Sequence, residues 1–150
     1  MITNNTKYGL KAILFLVKNE KARIQDIVDH EIAPKEEISA IFQKLEAAGL
    51  IRPSSSNHFS LTRPAEKITV GEVVRTIDGP LAPIPCVSHT AYKRCGDCPS
   101  EEACEIRRLM RLVRDATAYI LDKTSIIDMG AGRNPLVVFD KASMELSPPI

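Results

Sequence analysis

The chain has 150 residues, of which 44% are hydrophobic, and this is enough for one folded domain with an extension but not for several independent domains. The early apolar run at residues 12–17 is too short for a signal peptide or a membrane span and is flanked by Lys11 and Lys18, so we expect a cytoplasmic protein with no membrane partner. The formal net charge is +1, and up to Arg63 nine basic residues stand against seven acidic ones, so charge alone does not indicate binding to nucleic acid.

The first part of the chain has the periodicity of helices. Apolar residues spaced three and four positions apart predict helices at residues 5–19, 23–30 and 35–48. Pro34 suits the first turn of the third helix, and Gly49 is a typical helix-stop residue. The order of these helices is typical of a helix-turn-helix unit.

Two short strands are predicted next, at residues 50–52 and 58–61, with a turn-rich linker between them. Thr69 is placed to cap a fourth helix at residues 70–77. The fold class that these elements indicate is mainly α with a small β wing. It consists of a winged helix-turn-helix domain at residues 1–80 and a long dimerisation helix.

The rest of the chain has a different composition. Residues 81–99 form a proline-rich loop with three cysteines. A long amphipathic helix is predicted to begin at Ser100, which would cap it, and to end near Lys123. Residues 130–150 are punctuated by Gly, Asn and Pro, and we expect a largely disordered tail with a candidate strand at residues 136–139.

The predicted long helix carries apolar side chains along one face and arginines along the other. Because no later element could cover the apolar face, we expect a dimerisation region at residues 100–129 that pairs with a second copy in a homodimer. The apolar positions assigned to this interface are Ile106, Met110, Val113, Ala116 and Ile120. The opposite face carries Arg107, Arg108, Arg111 and Arg114.

All four cysteines lie between positions 86 and 104: Cys86, Cys95, Cys98 and Cys104. The cytosol keeps thiols reduced, so such a cluster indicates metal or redox chemistry. Thiolates are ligands of both iron–sulfur clusters and zinc. Only Cys95 and Cys98 have the short spacing typical of a structural zinc site, and a weakly packed loop suits a cluster that small oxidants must reach. A zinc site and a thiol–disulfide switch remain alternatives.

Four segments, taken in order, resemble the Rrf-type winged-helix transcription regulators. They are residues 6–12 (TKYGLKA), residues 41–50 (IFQKLEAAGL), parts of residues 61–80 (LTRPAEKITVGEV and IDGP), and the cysteine loop with its following helix. The resemblance covers about residues 1–129. This family includes iron–sulfur regulators, nitric-oxide sensors and cysteine-metabolism repressors. The resemblance implies a homodimer that binds a pseudo-palindromic operator in double-stranded DNA, expected to be a repressor.

The resemblance also implies an iron–sulfur cluster, of 2Fe–2S or 4Fe–4S type, that senses redox state, nitric oxide or iron status. Three cysteines match the ligand positions of the family: Cys86, Cys98 and Cys104. The family's fourth ligand varies, and the two positions where it stands in other members hold Arg107 and Lys7 here. The additional Cys95 is therefore the candidate fourth ligand.

For DNA, the resemblance implies that residues 35–45 enter the major groove and that the wing reaches the adjacent groove. Lys35 and Lys44 are expected to contact phosphates, whereas Glu36 and Ser39 are placed for base edges. The full set of candidate DNA contacts is Thr3, Lys35, Glu36, Ser39, Gln43, Lys44, Arg52, Asn57 and His58. The wing tip lacks the glycine and the arginine that family members often have there.

The sequence contains no nucleophile–base pair, phosphate-binding loop or carboxylate pair at enzymatic spacing, so we do not expect an enzyme. Two other classes of function remain open. One is a redox or iron–sulfur carrier that does not bind DNA, and the other is an adaptor whose long helix pairs with another protein. Salt-dependent binding to a palindromic promoter fragment distinguishes the regulator from the carrier.

Overall fold

The computed structural model describes residues 2–30, 32–96 and 98–133, so the expected tail from residue 134 onward, with its candidate strand, lies outside the described residues. The helices and strands of the described residues are α1 (Asn4–Asn19), α2 (Ile24–Asp29), α3 (Lys35–Ala47), β1 (Ile51–Ser54), β2 (His58–Leu61), α4 (Val70–Asp78), α5 (Glu105–Lys123) and α6 (Ile126–Gly130). The expectation of a mainly α fold with a small β wing is confirmed.

The first four helices lie within one or two residues of their predicted bounds. Pro34 is the residue before α3 and not part of its first turn. At the other end of α3, the Gly49 N–H donates to the Glu46 carbonyl and the Leu50 N–H to the Leu45 carbonyl. Gly49 has a φ of +69°, which glycine adopts without strain, so this residue ends the helix as the sequence predicted.

The wing is a two-stranded antiparallel sheet that is joined to the helices by backbone hydrogen bonds. Ile51 pairs with Leu61, and Ser54 pairs with His58 at the tip. Ala22, in the connection between α1 and α2, exchanges two backbone hydrogen bonds with Phe59. Because Phe59 lies next to the tip pair, these two bonds fasten β2 to the helices along most of its length.

α5 begins five residues later than predicted, at Glu105 and not at Ser100. The Ser100 hydroxyl does accept the amide of Ala103, at 3.3 Å, but this closes only a bend. Cys104 then has an extended conformation (φ −77°, ψ 109°), which interrupts any helix that starts earlier. A cap acts locally, and the next residues must also adopt helical angles for it to begin a helix.

A single hydrophobic core joins α1, α2, α3, β1, α4 and α6. Its largest buried side chains include Phe42, Ile13 and Leu45. α6 was not predicted from the sequence, yet its Ile126 is fully buried in this core. We call residues 2–78 together with α6 the head, and residues 79–104 the cysteine loop.

α5 lies outside this core and is attached to the head near its C-terminal end. Asp122 accepts two hydrogen bonds from the Arg75 guanidinium, at 2.6 and 2.8 Å, and Gly71 leaves the space for this close approach. A β-bridge between Thr69 and Ser125 fastens the chain where α5 passes into α6. None of the helices in the described residues has the length and apolar character needed to cross a membrane.

Candidate DNA-binding surface and cysteine site

The first turns of α3 present polar side chains to solvent. Lys35 and Glu36 are exposed at the start of the helix, and Gln43 is exposed further along it. Ser39 is half-buried, and its hydroxyl donates to the Lys35 carbonyl at 2.7 Å. Because that bond uses the only donor of the hydroxyl, Ser39 can only accept a hydrogen bond from a group outside the helix. With the carboxylate of Glu36, this part of the helix offers hydrogen-bond acceptors.

At the wing, Arg52 and Asn57 are exposed and His58 is half-buried. His58 Nδ1 donates to the Ser55 carbonyl at 3.1 Å and closes the tip. Ser56 and Asn57 have left-handed φ values of 61° and 58°. Asn tolerates this region better than Ser does, so the tip conformation is strained mainly at Ser56.

Two of the candidate DNA contacts are held by the end of α4. The Lys44 ammonium donates to the Ile77 carbonyl at 2.8 Å. The Thr3 amide donates to Asp78 Oδ2 at 2.7 Å, and the Thr3 hydroxyl donates to Oδ1 at 2.6 Å. Partial burial opposes ionisation of Asp78, but the hydrogen bonds from Thr3 outweigh it and hold the pKa of this carboxyl below its usual range. Both donors of Thr3 are thus engaged, whereas Lys44 retains two N–H donors.

The four cysteines all lie before the first residue of α5 in the chain, and no disulfide joins them. Cys86 is buried in the 3-10 turn Pro85–Val87. Cys95 is exposed, and Cys98 and Cys104 are half-buried. The thiols therefore differ widely in their access to solvent.

The Cys98 thiol has two other thiols near it. The Cys98 thiol donates to the Ser100 carbonyl at 3.3 Å. Partial burial raises the pKa of Cys98, and the neighbouring thiols of Cys104 and Cys95 raise it further. The Cys104 sulfur accepts the Arg107 amide at 3.4 Å and so caps α5. Cys104 consequently links the cysteine loop to the first turn of the long helix.

The cysteines suit a soft metal centre chemically, since four thiolates are a ligand set that iron–sulfur clusters and zinc share. In the described residues, however, no three His, Cys, Asp or Glu side chains converge as a metal site. Cys86 stands apart because it is buried in its own turn. The chain must therefore rearrange between Cys86 and Cys104 before all four sulfurs can hold one group, and the assignment of these ligands stays a prediction.

Two arginines of α5 hold the turn Pro85–Val87. Arg107 Nε donates to the Cys86 carbonyl at 3.4 Å, and Arg114 Nη1 donates to the Val87 carbonyl at 2.5 Å. Arg114 is only 9% exposed. Both were identified in the sequence only as members of a charged face, yet they act as internal donors. A proline-rich segment has few N–H groups of its own to satisfy buried carbonyls.

The outward face of α5 is apolar. Of the five predicted interface positions, Ile106 is 66% exposed and Val113 is 42% exposed. The other three are half-buried: Met110, Ala116 and Ile120. Two leucines that the sequence analysis did not select are exposed as well, Leu109 and Leu112. Leu109 is three residues after Ile106 and Leu112 is three after Leu109, and this spacing was the signal that could have identified them.

Asp78 was the other functional candidate that sequence reasoning missed. Its partner Thr3 is 75 residues away in the chain, so no local pattern indicates the contact. The sequence singled out Asp78 only as part of the segment IDGP. The carboxylate is therefore identified by the tertiary structure alone.

Comparisons with known proteins agree with this architecture. The chain matches the family model Rrf2, described as iron-dependent transcriptional regulator, over residues 2–132. It is 35% identical over 143 residues to an rrf2-like HTH-type transcriptional regulator of Rhodobacter capsulatus, which covers 90% of this chain and 95% of that protein. It is 27% identical over 134 residues to the HTH-type transcriptional regulator NsrR of Geobacillus kaustophilus, covering 85% of this chain and 88% of that one.

The fold is also that of a solved structure. CymR, the global cysteine regulator of B. subtilis, superimposes with a TM-score of 0.70 at 23% identity, over 87% of this chain and 96% of that chain. The resemblance drawn from the sequence is thus confirmed at the level of family and fold. The chain belongs to the Rrf2 family of winged-helix transcriptional regulators and is not an enzyme.

Proposed function

We propose that the protein binds a pseudo-palindromic operator as a homodimer and that its cysteines hold an iron–sulfur cluster that sets operator affinity. The observation that carries the DNA-binding part is the exposed start of α3 beside the wing, in a helix-turn-helix of a regulator family. Repression is the expected mode of regulation. The cysteine part is supported by the Cys104 thiol at the start of α5 and by the Cys98 thiol, which the thiols of Cys104 and Cys95 neighbour.

In this proposal α3 enters the major groove with its first turns. Glu36 and Ser39 would accept hydrogen bonds from base amino groups, which cytosine and adenine present in that groove. Lys35 and Lys44 would contact phosphates, and Gln43 lies on the same exposed face. The wing residues that would reach the neighbouring groove are Arg52, Asn57 and His58. Thr3 is positioned beside this surface by Asp78.

DNA binding is tested by separating phosphate contacts from base contacts. Lys44→Ala should weaken binding to all sequences about equally and reduce the slope of log K against log [salt] by about one. Glu36→Gln should instead change the preferred base at one position of each half-site. Lys123→Ala, at an exposed lysine at the end of α5, is the matched control and should change neither. Equal effects from all three variants would contradict the assignment of DNA binding to this surface.

The homodimer is supported by the apolar outward face of α5, which carries four large exposed side chains: Ile106, Leu109, Leu112 and Val113. Val113→Glu places a charge in this face and should cost the dimer on the order of a few kcal/mol, because the charge would be buried without a partner. Arg108→Glu, at an already charged exposed position, is the control. Sedimentation should show a monomer only for Val113→Glu, and a monomeric native chain would contradict the proposal.

For the sensor, an iron–sulfur cluster supplies a centre that oxidants and nitric oxide attack and that absorbs visible light. The residues of this chain that would hold it are Cys86, Cys98 and Cys104, with Cys95 as the fourth ligand. Cys104 matters most for the response, because its sulfur also caps α5. A change of partner at this sulfur would alter the first turn of the helix that joins the two copies.

The cluster is tested on protein purified without oxygen. We expect a brown protein with iron and acid-labile sulfide in comparable amounts, because thiolate-to-iron charge transfer absorbs in the visible range whereas zinc does not. Replacement of Cys86, Cys98 or Cys104 by Ala should each remove the colour. Cys95→Ala should remove it or shift the spectrum if this residue is the fourth ligand. Colourless anaerobic protein with one tightly bound zinc per chain would contradict the iron–sulfur proposal.

The second candidate is a regulator that uses the thiols themselves, without a cluster. The observation that favours it is the proximity of the half-buried Cys98 and Cys104 thiols. A metal-free protein whose operator affinity changes on thiol oxidation, and no longer does so in Cys98→Ser, would support it. Retention of the response in that variant would contradict it.

A further inference from the structure

Contacts from two candidate DNA-facing segments meet at the end of α4. Lys44 on α3 donates to the Ile77 carbonyl, and Thr3, just before α1, donates twice to the Asp78 carboxylate. The partners are 33 and 75 residues apart in the chain. Only the tertiary fold brings them to two consecutive residues, and this convergence makes the end of α4 a common support for both segments.

The packing around this support is tight. Ile77 is 4% exposed, and its Cδ1 approaches Gly9 of α1 so closely that no Cβ could stand there. The same position is 3.3 Å from the side chain of Ile41 on α3. Close-packed interiors pass displacements on to neighbours and do not absorb them. A shift of Ile77 must therefore move α1 or α3.

The cysteine loop begins at this same point. Gly79 has a φ of +86°, a conformation in which any side chain would be strained, and it turns the chain out of α4. Residues 79–85, which lead to the buried Cys86, include three prolines and are consequently a stiff link. Arg107 of α5 holds the far end of this link through the Cys86 carbonyl.

We propose that the end of α4 couples the cysteine loop to the DNA-facing surface, with Asp78 as the positioning residue. A rearrangement of the loop shifts Asp78 and, through it, Thr3. Coupling between two sites is reciprocal, so bound DNA must in turn change how readily the cysteine loop opens. This inference rests on the proposed DNA binding but not on which metal, if any, the cysteines hold.

The test uses the full-length, reduced and metal-free chain, so that no cluster contributes to the readout. Cys86 is buried, so its alkylation by iodoacetamide requires the loop to open, and mass spectrometry resolves this site from the other thiols. The rate is measured with a saturating duplex that the native chain selects from random sequence, and with a scrambled duplex. Selected DNA should change the Cys86 rate about 5-fold or more in the native chain.

Asp78→Asn keeps the size of the side chain but removes one of the two acceptors that Thr3 uses. We expect this variant to bind the selected duplex with a Cys86 rate that changes less than about 2-fold. Asp128→Asn is the matched control, because its carboxylate accepts from the Ser125 hydroxyl at 2.6 Å, and Ser125 bridges Thr69 at the opposite end of α4 from Asp78. It should retain the full response.

Thr3→Val removes only the hydroxyl donor and replaces Asp78→Asn if that variant does not fold. It should show a reduced response too. A full response in a folded Asp78→Asn or Thr3→Val chain overturns the coupling. A native chain that prefers the selected duplex but shows no change at Cys86 overturns the coupling alone. A native chain that selects no duplex overturns the proposed DNA binding, and the coupling with it.

Discussion

The head and α5 bury their side chains for different reasons. The head has a core of aliphatic and aromatic residues in which Ile13, Phe42 and Ile126 have 1% exposure or less. In α5, all of which is described, the one buried residue is Arg114. Its neighbours in the cysteine loop are held by hydrogen bonds from arginine side chains to carbonyls. Apolar burial dominates in the head, whereas the buried turn of the cysteine loop is held by directional polar contacts as well.

This difference separates the part of the protein that supplies its stability, the head, from the part that can respond to a signal, the cysteine loop. A close-packed apolar core has one arrangement and resists change. Individual hydrogen bonds each contribute about 0.5–1.5 kcal/mol, so a few of them can be exchanged at moderate cost. Segments that respond to a signal come from the less stable parts of a protein. The cysteine loop has this character, and the four variants below test the comparison.

The largest effect is expected in the head. Phe42 is 1% exposed and packs edge-on against Phe59, with ring centroids 4.9 Å apart. Phe42→Ala should lower the free energy of unfolding by about 3–5 kcal/mol, because it removes apolar contacts and leaves a cavity. Urea denaturation of Phe42→Ala, with the milder Phe42→Leu beside it, measures the loss. A loss below about 1 kcal/mol would contradict a close-packed core.

A smaller effect is expected where α5 holds the cysteine loop. Arg114→Met keeps the aliphatic stem but leaves the Val87 carbonyl without its donor, at a cost of about 1–3 kcal/mol. Limited proteolysis should then cut within residues 79–104 while the head stays intact. Arg111→Met, at an exposed arginine of the same helix, is the control and should change stability by less than about 0.5 kcal/mol. Equal protease sensitivity of the two variants would show that Arg114 does not hold the loop.

The capping of α4 makes head stability depend on pH. Burial opposes ionisation of Glu72, but hydrogen bonds from the Thr69 amide and from Arg63 outweigh it, so the pKa of Glu72 lies below its ordinary value of 4.5. A carboxyl whose pKa is lower in the folded chain than in the unfolded chain stabilises the fold at pH values above its unfolded-state pKa. This stabilisation is lost as the pH falls through the folded-state pKa.

Glu72→Gln keeps the capping oxygen but cannot titrate. Its unfolding free energy, measured by urea denaturation from about pH 7 to about pH 3, should fall less than that of the native chain. At neutral pH the difference should be under about 1 kcal/mol, because the Arg63 pair is partly in solvent. Parallel pH profiles would mean that Glu72 is not the group responsible.

The smallest effect is expected at the wing tip. Ser56 has a φ of 61°, which glycine adopts without steric cost, so Ser56→Gly should raise the unfolding free energy by about 0.5–1 kcal/mol. Ser54→Gly is the matched control, because Ser54 is extended (φ −125°) and glycine there only adds freedom to the unfolded chain. Thermal denaturation that ranks the two variants in the opposite order would contradict the strained tip.

Much of the head could be predicted from the sequence because its signals are local. Spacing of apolar residues located α1 to α3, Thr69 located α4, and Gly49 ended α3 as expected. Thr69 caps α4 through a reciprocal pair of hydrogen bonds with Glu72, three residues away. The family followed from four segments in order, and the expectation of no enzyme followed from the lack of catalytic motifs; the comparisons, which are with transcriptional regulators, confirm both. The metal ligands, DNA contacts, interface positions and domain bounds stay predictions.

By itself, the sequence determined the helices and the wing of the head except α6, and the family that they build. Hydrogen bonds within a helix and the periodicity of apolar residues act over only a few positions, so these signals are local. The tertiary structure determined which residues contact each other across long stretches of the chain. It placed the start of α5 at Glu105, turned Arg114 inward to a loop carbonyl, and brought Thr3 to Asp78. The physical reason is that a buried polar group needs a hydrogen-bond partner, and tertiary packing determines which group is close enough to be that partner, at any separation along the chain.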